Sequence, residues 1–397
     1  MRRLRLALAL CVIVGPLHAQ ATDVARKLAR ETVIVDTHID APDMLSEGWR
    51  DLTAATDRDF DWPKAQDGGL DIAFMSVYTS PKQDTDGTAY DAANRQIDAV
   101  WALAARAPDK FAILGSPRDV THLSKPGRVL LPIGMENGAP IGDDLKRLAF
   151  FHARGVRYIT LAHSAANRIA DSSYGVERKW NGLSPFGREV VAEMNRLGIM
   201  VDVSHLSDAS ALEAIRLSRA PVVATHSGMR HFTPGFERNA SDEVAKAIAA
   251  KGGVVQITFG TGFVNPKAAA DMQAKFRERA ALQARNATAR AAGQPVQDES
   301  AWSKAWDDAH PVPPTGIDAV VAQVMYAVKL IGAAHVGIGS DFDGVSGALP
   351  DGLRTVADYP NLVAALQKAG LPDADIRKVM GANLLRVWTA VEAGAKP

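Results

Sequence analysis

Short apolar runs recur along the chain: TVIVDT (32–37), LDIAFMSV (70–77), VLLPIG (129–134), VRYITLAH (156–163), GIMVDVSH (198–205), PVVATH (221–226), GGVVQITF (252–259) and AHVGIGSD (334–341). Several are continuous rather than alternating, the pattern of parallel strands buried on both faces. Between them lie amphipathic stretches such as SPFGREVVAEMNRLG and SDASALEAIRLSRA, opened by Ser or Asp caps and closed by Gly or turn residues, which read as helices. Eight strands alternating with helices predict an α/β chain folded as a (β/α)8 TIM-like barrel. The rhythm breaks once, from about Pro266 to Pro314, where a charged helical stretch and the Pro-rich HPVPPTG far exceed an ordinary strand-to-helix connection. This segment reads as a solvated helical insertion, with a lid or rim over the barrel mouth as the functional alternative.

Composition narrows the picture. Hydrophobic residues at 47% with 23% charged describe a soluble globular chain with a substantial core. Residues 1–20, MRRLRLALALCVIVGPLHAQ, combine a basic start, an apolar run too short to span a bilayer comfortably and a small-residue break. They are expected to be a secretory signal peptide, giving an exported periplasmic or secreted protein without a stable membrane anchor. Arg2-Arg3 leaves twin-arginine export open. Cleavage takes three of the 45 basic residues, leaving 42 against 45 acidic ones, a near-neutral balance that recruits no nucleic acid. It also removes Cys11, the sole cysteine, so residues 21–397 have neither disulfides nor thiolate ligands. Any metal must be held by His, Asp and Glu.

Those residue types stand in register. At the C-terminal ends of the apolar runs come His38 and Asp40, Glu136, His163, His205, His226 and Asp341. A barrel gathers these ends around one mouth, where active sites of this architecture sit. His122, His152, His231, His310 and His335 end no such run and read as surface or structural, His231 being close after His226. His and carboxylate without Cys suit zinc or another divalent first-row metal. Five candidate ligands exceed what one catalytic zinc takes and suit two metals about 3.5–4 Å apart, bridged by a carboxylate. Glu136, lying in the chain between the His38/Asp40 and His205/His226 pairs, is the natural bridge. Asp341 is left as the proton shuttle, with Asp343 as competitor for that role.

With VDTHIDAP, GMENG, RYITLAHSAANRIADSS, GLSPFGREVVAEMNRLGIMVDVSHLSD, ATHSGMRHF, RNASDE, HVGIGSDFDGV and VMGANLLRVW spread along the chain, the sequence resembles the membrane dipeptidase (renal dipeptidase, peptidase M19) family of binuclear zinc dipeptidases. The resemblance implies that His38 and Asp40 bind one zinc, that His205 and His226 bind the other, and that Glu136 bridges them. His163 would polarise the scissile carbonyl, Asp341 would be the acid/base, and Arg238 would bind the dipeptide's terminal carboxylate. The loop after His226 is one residue longer than is usual in that family, which makes Arg230 a rival for the last role. The implied reaction is hydrolysis of dipeptides by a metal-bridged hydroxide, with tolerance of a D-residue at the C-terminal position. An N-acyl-amino-acid deacylase or a lactamase on the same site is the alternative. A homodimer is compatible with this architecture, though no stretch announces an interface.

Overall fold

The computed structural model describes residues 21–396. The leader expected over residues 1–20 therefore lies outside the described residues. Ten strands occur among the described residues: β1 (Ile34–Ile39), β2 (Leu70–Tyr78), β3 (Phe111–Ile113), β4 (Val129–Leu131), β5 (Ile133–Glu136), β6 (Val156–Thr160), β7 (Met200–Asp202), β8 (Val223–Ala224), β9 (Val254–Ile257) and β10 (Val336–Ile338). Every strand pairing is parallel. Along the sheet the order is β10-β9-β8-β7-β6-β5-β2-β4-β3, and β1 pairs with β2.

Eight of these strands make a ring. No strand ladder joins β10 to β1; the seam is closed by one bridge, Ile39 to Phe342, with Asp40 N donating to Phe342 O at 2.9 Å and Asp341 N to His38 O at 3.1 Å. Asp36 stitches the seam from inside, its Oδ1 accepting from His38 N at 2.9 Å and Ser340 N at 3.0 Å. The barrel expected from the apolar runs is thus formed, with a difference at VLLPIG. That run is two strands, because Pro132 has no N–H to continue a ladder. Its first half, β4, leaves the ring to pair with β3, and its second half, β5, carries Glu136 to the mouth.

Continuous apolar runs are explained by two cores. Val35, Ile72, Phe74, Tyr158, Met200, Val223 and Val254 form one cluster with Leu384, Val387 and Trp388 of the helix Asn383–Ala393. The alternate positions, such as Ala73, Met75, Ile133, Ile159, Val201 and Ile257, pack in the other cluster with apolar residues of the surrounding helices. Successive strand residues point to opposite faces, so both sets must be apolar. The caps anticipated in sequence are present: Ser184 accepts from Gly187 N at the start of Pro185–Leu197, and Gly198 ends that helix at φ 77°.

The stretch 266–314 is helical as expected, with helices Pro266–Ala291 and Glu299–Ala309. They face each other through polar contacts, Lys275 Nζ to Asp307 at 2.7 and 2.8 Å and Gln283 Nε2 to Glu299 at 2.9 Å. The first also touches the mouth, Phe276 lying against Tyr174 with ring centroids 4.3 Å apart. Among the described residues no helix is long and apolar enough to cross a membrane.

Candidate active site

The mouth collects all seven strand-end residues. Glu136, the last residue of β5, is the hub: its Oε1 lies 3.0 Å from His205 Nε2, 3.1 Å from His226 Nε2 and 3.5 Å from both His38 Nε2 and His163 Nε2. His38 Nε2 is also 3.5 Å from Asp40 Oδ1. Three groups place their ligand atoms within 4.8 Å of one another: His38, Glu136 and His226; Glu136, His163 and His205; and His38, Asp40 and Asp341. Glu136 and His38 each belong to two groups, which is the overlap a two-cation site needs. The grouping differs from the expected pairs in that His226 stands beside His38, and His163 beside His205. His226 nevertheless also faces His205, Nε2 to Nε2 at 2.8 Å.

Outer partners aim the imidazoles. Thr225 Oγ1 donates to Asp202 Oδ2 at 2.7 Å, so at 2.9 Å it can only accept from His226 Nδ1, which leaves the Nε2 lone pair pointing into the cluster. On the other side His38 Nδ1 meets the Tyr158 hydroxyl at 2.9 Å. Orientation of this kind is what fixes the tautomer of metal-binding histidines. His38 Nε2 itself is buried with no hydrogen-bond partner, a cost that a cation would remove.

Protonation suits the same purpose. Burial, with Arg238 and neighbouring imidazoles, holds His205 and His226 well below the usual histidine range, and burial also lowers His163. Burial opposes the charge on Glu136, but His163, His38, His205 and His226 outweigh it and keep the carboxyl ionised. The three lowered imidazoles are neutral ligands in their binding form, whereas His38, although burial opposes its charge, is raised well above the usual histidine range by Tyr158, Asp40 and Glu136. Asp341 is pushed up to about 8, first by burial and then by Asp40 and Glu136. A cation among these carboxylates acts in the opposite direction.

The backbone is bent to bring these groups in. His205 and Asp341 sit at φ 67° and 68°, and Asn137, next to Glu136, at φ 79°, a conformation that side chains other than glycine rarely adopt. Gly344 of GIGSDFDG allows the crowding read from that motif: a Cβ there would lie 2.2 Å from Asp40 Oδ2 and 2.5 Å from Asp341 Oδ1. Asp343 is removed from the competition, since its carboxylate accepts from Asp59 N at 3.0 Å and Phe60 N at 3.3 Å and ties down that loop.

Of the two arginines, Arg238 is in the site. Its Nη2 lies 2.9 Å from His205 Nε2 and 2.8 Å from His226 O, and Nη1 is 3.2 Å from Ser227 Oγ. Only 3% of Arg238 is exposed, and among the described residues it forms no ion pair, its Nε lacking any partner. Arg230 is instead locked bidentately on Asp208 at 2.6 Å and 2.6 Å.

Sequence reasoning missed three tyrosines. Tyr158 orients His38; Tyr78 packs edge-on against His163 at 4.8 Å; Tyr174 lies 5.7 Å from His205, ring to ring. For Tyr158 a signal existed in Gly134, a glycine inside a strand, which marks a close approach. A Cβ at Gly134 would come within 2.0 Å of the Tyr158 ring.

Known proteins are similar to this chain in sequence and in shape. The model of the family Membrane dipeptidase (Peptidase family M19) matches residues 22–397. Dipeptidase aclJ of Aspergillus oryzae is 32% identical over 85% of this chain and 71% of its own length. An uncharacterized dipeptidase of Schizosaccharomyces pombe is 28% identical over 92% of this chain and 82% of its own. The crystal structure of the probable dipeptidase PvdM from Pseudomonas aeruginosa superposes with a TM-score of 0.81 at 27% identity, covering 94% of this chain and 98% of that one. A metallo peptidase from Rhodobacter sphaeroides, solved with a phosphinate mimic of the dipeptide L-Ala-D-Ala, shares the fold with a TM-score of 0.72 at 24% identity, covering 91% and 99%.

Proposed function

The chain belongs to the membrane dipeptidase family, peptidase family M19, and is a metal-dependent dipeptidase; on that premise we propose that it cleaves dipeptides at a two-zinc centre bridged by Glu136. The observation that carries this reading is the convergence of His38, His163, His205 and His226 on one Glu136 oxygen beside an unpaired, buried Arg238. His38 and Asp40 would hold one ion and His205 and His226 the other, with His163, 3.5 Å from Glu136 and ring to ring at 4.0 Å from His205, placed to reach the scissile carbonyl. Bound there, the ions supply a water-derived nucleophile at neutral pH and neutralise charge on the carbonyl oxygen.

The chain's own groups do the rest. His163 donates to the carbonyl oxygen as charge develops on it. Asp341 takes the proton released by the attacking water and returns it to the leaving amine. Arg238, a buried cation without a carboxylate partner, receives the terminal carboxylate and so holds the substrate at a fixed length from the centre. Because the grip falls on the carboxylate rather than on the second side chain, a D-residue is tolerated there while the first residue is L.

Metal analysis together with a panel of L,L-, L,D- and D,L-dipeptides, dipeptide amides, tripeptides and N-acyl amino acids tests the proposal. About two metals per chain and cleavage confined to dipeptides with a free carboxylate support it. Preferential cleavage of N-acyl amino acids would move the assignment to a deacylase. Arg238→Ala is expected to lower kcat/KM for dipeptides by the worth of a charge-assisted contact, on the order of 1.5–3 kcal/mol, mainly through KM. Steady-state kinetics on that variant and on Arg230→Ala decide between the two arginines.

A further inference from the structure

Four donors converge on Asp202, the last residue of β7 and wholly buried. Its Oδ1 accepts from Ser204 N at 2.9 Å and Thr225 N at 3.0 Å, and its Oδ2 from the Thr225 hydroxyl at 2.7 Å and from the Thr160 hydroxyl. A carboxylate offers about four lone-pair sites, so all are taken. Two of the residues bound to it stand directly before mouth histidines. Ser204 precedes His205, whose backbone turns at φ 67°, and its Oγ accepts from His226 N at 3.2 Å. Thr225 precedes His226 and meets its Nδ1 at 2.9 Å. One carboxylate thus holds the approach to His205 and, through its neighbours, both the backbone and the ring of His226. Asp36, the buried acid of β1, differs: its partners His38 N, Ser340 N and the Tyr359 hydroxyl make no bond to an imidazole among the described residues.

We infer that Asp202 is a positioning residue for the His205/His226 half of the centre, setting through Thr225 which nitrogen of His226 carries the proton. The inference rests on the reading that these two histidines hold a cation. Thr225 has a single hydroxyl proton. With that proton on Asp202, its oxygen is left to accept from His226 Nδ1 and from Ser204 Oγ at 3.4 Å. An amide at position 202 would reverse the chain of donors. The two backbone N–H groups keep the amide oxygen on the Oδ1 side, so its NH2 would face the Thr225 hydroxyl, which would then donate to His226 Nδ1. The imidazole proton would move to Nε2, the atom that faces Glu136 and His205. A ligand in the wrong tautomer has no lone pair to offer there.

The test uses the full chain labelled with 15N-histidine and freed of metal by a chelator. Two-bond 1H–15N correlation spectra read the tautomer of His226, whose signals are identified by their loss in His226→Gln, and zinc titration then reads affinity. The wild type should show the proton on Nδ1. Thr225→Val, nearly isosteric, should lose that fixed tautomer and bind zinc about 10- to 100-fold more weakly at one position, the usual worth of a group behind a metal ligand. Thr225→Ser should restore both. Asp202→Asn should place the proton on Nε2 and weaken zinc at least as much. Thr160→Val removes a donor from the same carboxylate oxygen without touching a histidine, and should change neither reading. A wild-type proton on Nε2, unchanged zinc affinity in Thr225→Val, failure of serine to rescue, or an equal loss in Thr160→Val overturns the inference. Should Asp202→Asn not fold, the Thr225 pair and Thr160→Val decide alone. A wild type with the expected tautomer that binds no zinc would instead sink the metal reading of His205 and His226.

Discussion

Glu136→Gln should yield a folded protein that retains neither metal and hydrolyses dipeptides more slowly by 10³-fold or more, on the order of the several kcal/mol that metal-ion catalysis supplies. The expectation follows from geometry: Oε1 alone lies within 3.5 Å of four imidazole nitrogens. The amide keeps the size of the side chain but loses its charge, so on the proposed two-metal reading both positions would lose the same anionic ligand. Elemental analysis of purified variant and wild type, with circular dichroism to confirm folding, makes the check. Retention of one metal would mean that Glu136 serves a single position and that the bridge lies elsewhere. His205→Ala, which removes one neutral ligand, should be more selective.

Asp341→Asn is the complementary case. The variant should keep its metals while turnover falls by roughly 10² or more, the usual worth of a positioned acid/base. Asp341 sits 8% exposed at the closing seam, grouped with His38 and Asp40, close enough to exchange protons at the centre. The amide preserves shape but cannot accept the proton. Single-turnover kinetics alongside metal content separates the possibilities: lost metal would make Asp341 a ligand, and near-normal turnover would send the proton to another group.

Much of this was legible in the sequence because one rule served twice. Apolar runs marked the strands, and in a parallel barrel every strand's C-terminal end faces the same mouth, so reading the polar residue after each run assembled the site without any distance. Asp343 could not be separated from Asp341 in that way, since both follow the same run; only the hydrogen bonds to Asp59 and Phe60 divide them. Nor could Arg238 be separated from Arg230 until Asp208 was seen to occupy the latter. The split of VLLPIG at Pro132 follows from proline's missing donor and was within reach. The contacts of Tyr158 and Tyr174 were harder, because they join residues far apart in the chain through ring positions that strand periodicity does not encode. Likewise, which imidazoles share a cation position depends on where Nε2 atoms end up after side-chain rotation.

The seam has a consequence for how the molecule folds. His38 and Ser340, 302 positions apart, meet across it at 3.3 Å, and the group of His38, Asp40 and Asp341 exists only once the first and last strands of the ring have found each other. Contacts of such sequence separation are entropically late. The centre is therefore expected to be completed only when the seam closes, and a chain halted before closure would have no complete site. A cation held by His38, Asp40 and Asp341 would need the closed ring and so would act as a clasp: metal loading should raise the melting temperature and slow the opening of the first strand, by mass action on the closed state. Stripping the metals with a chelator should loosen the barrel first along β1, which hydrogen exchange can read strand by strand.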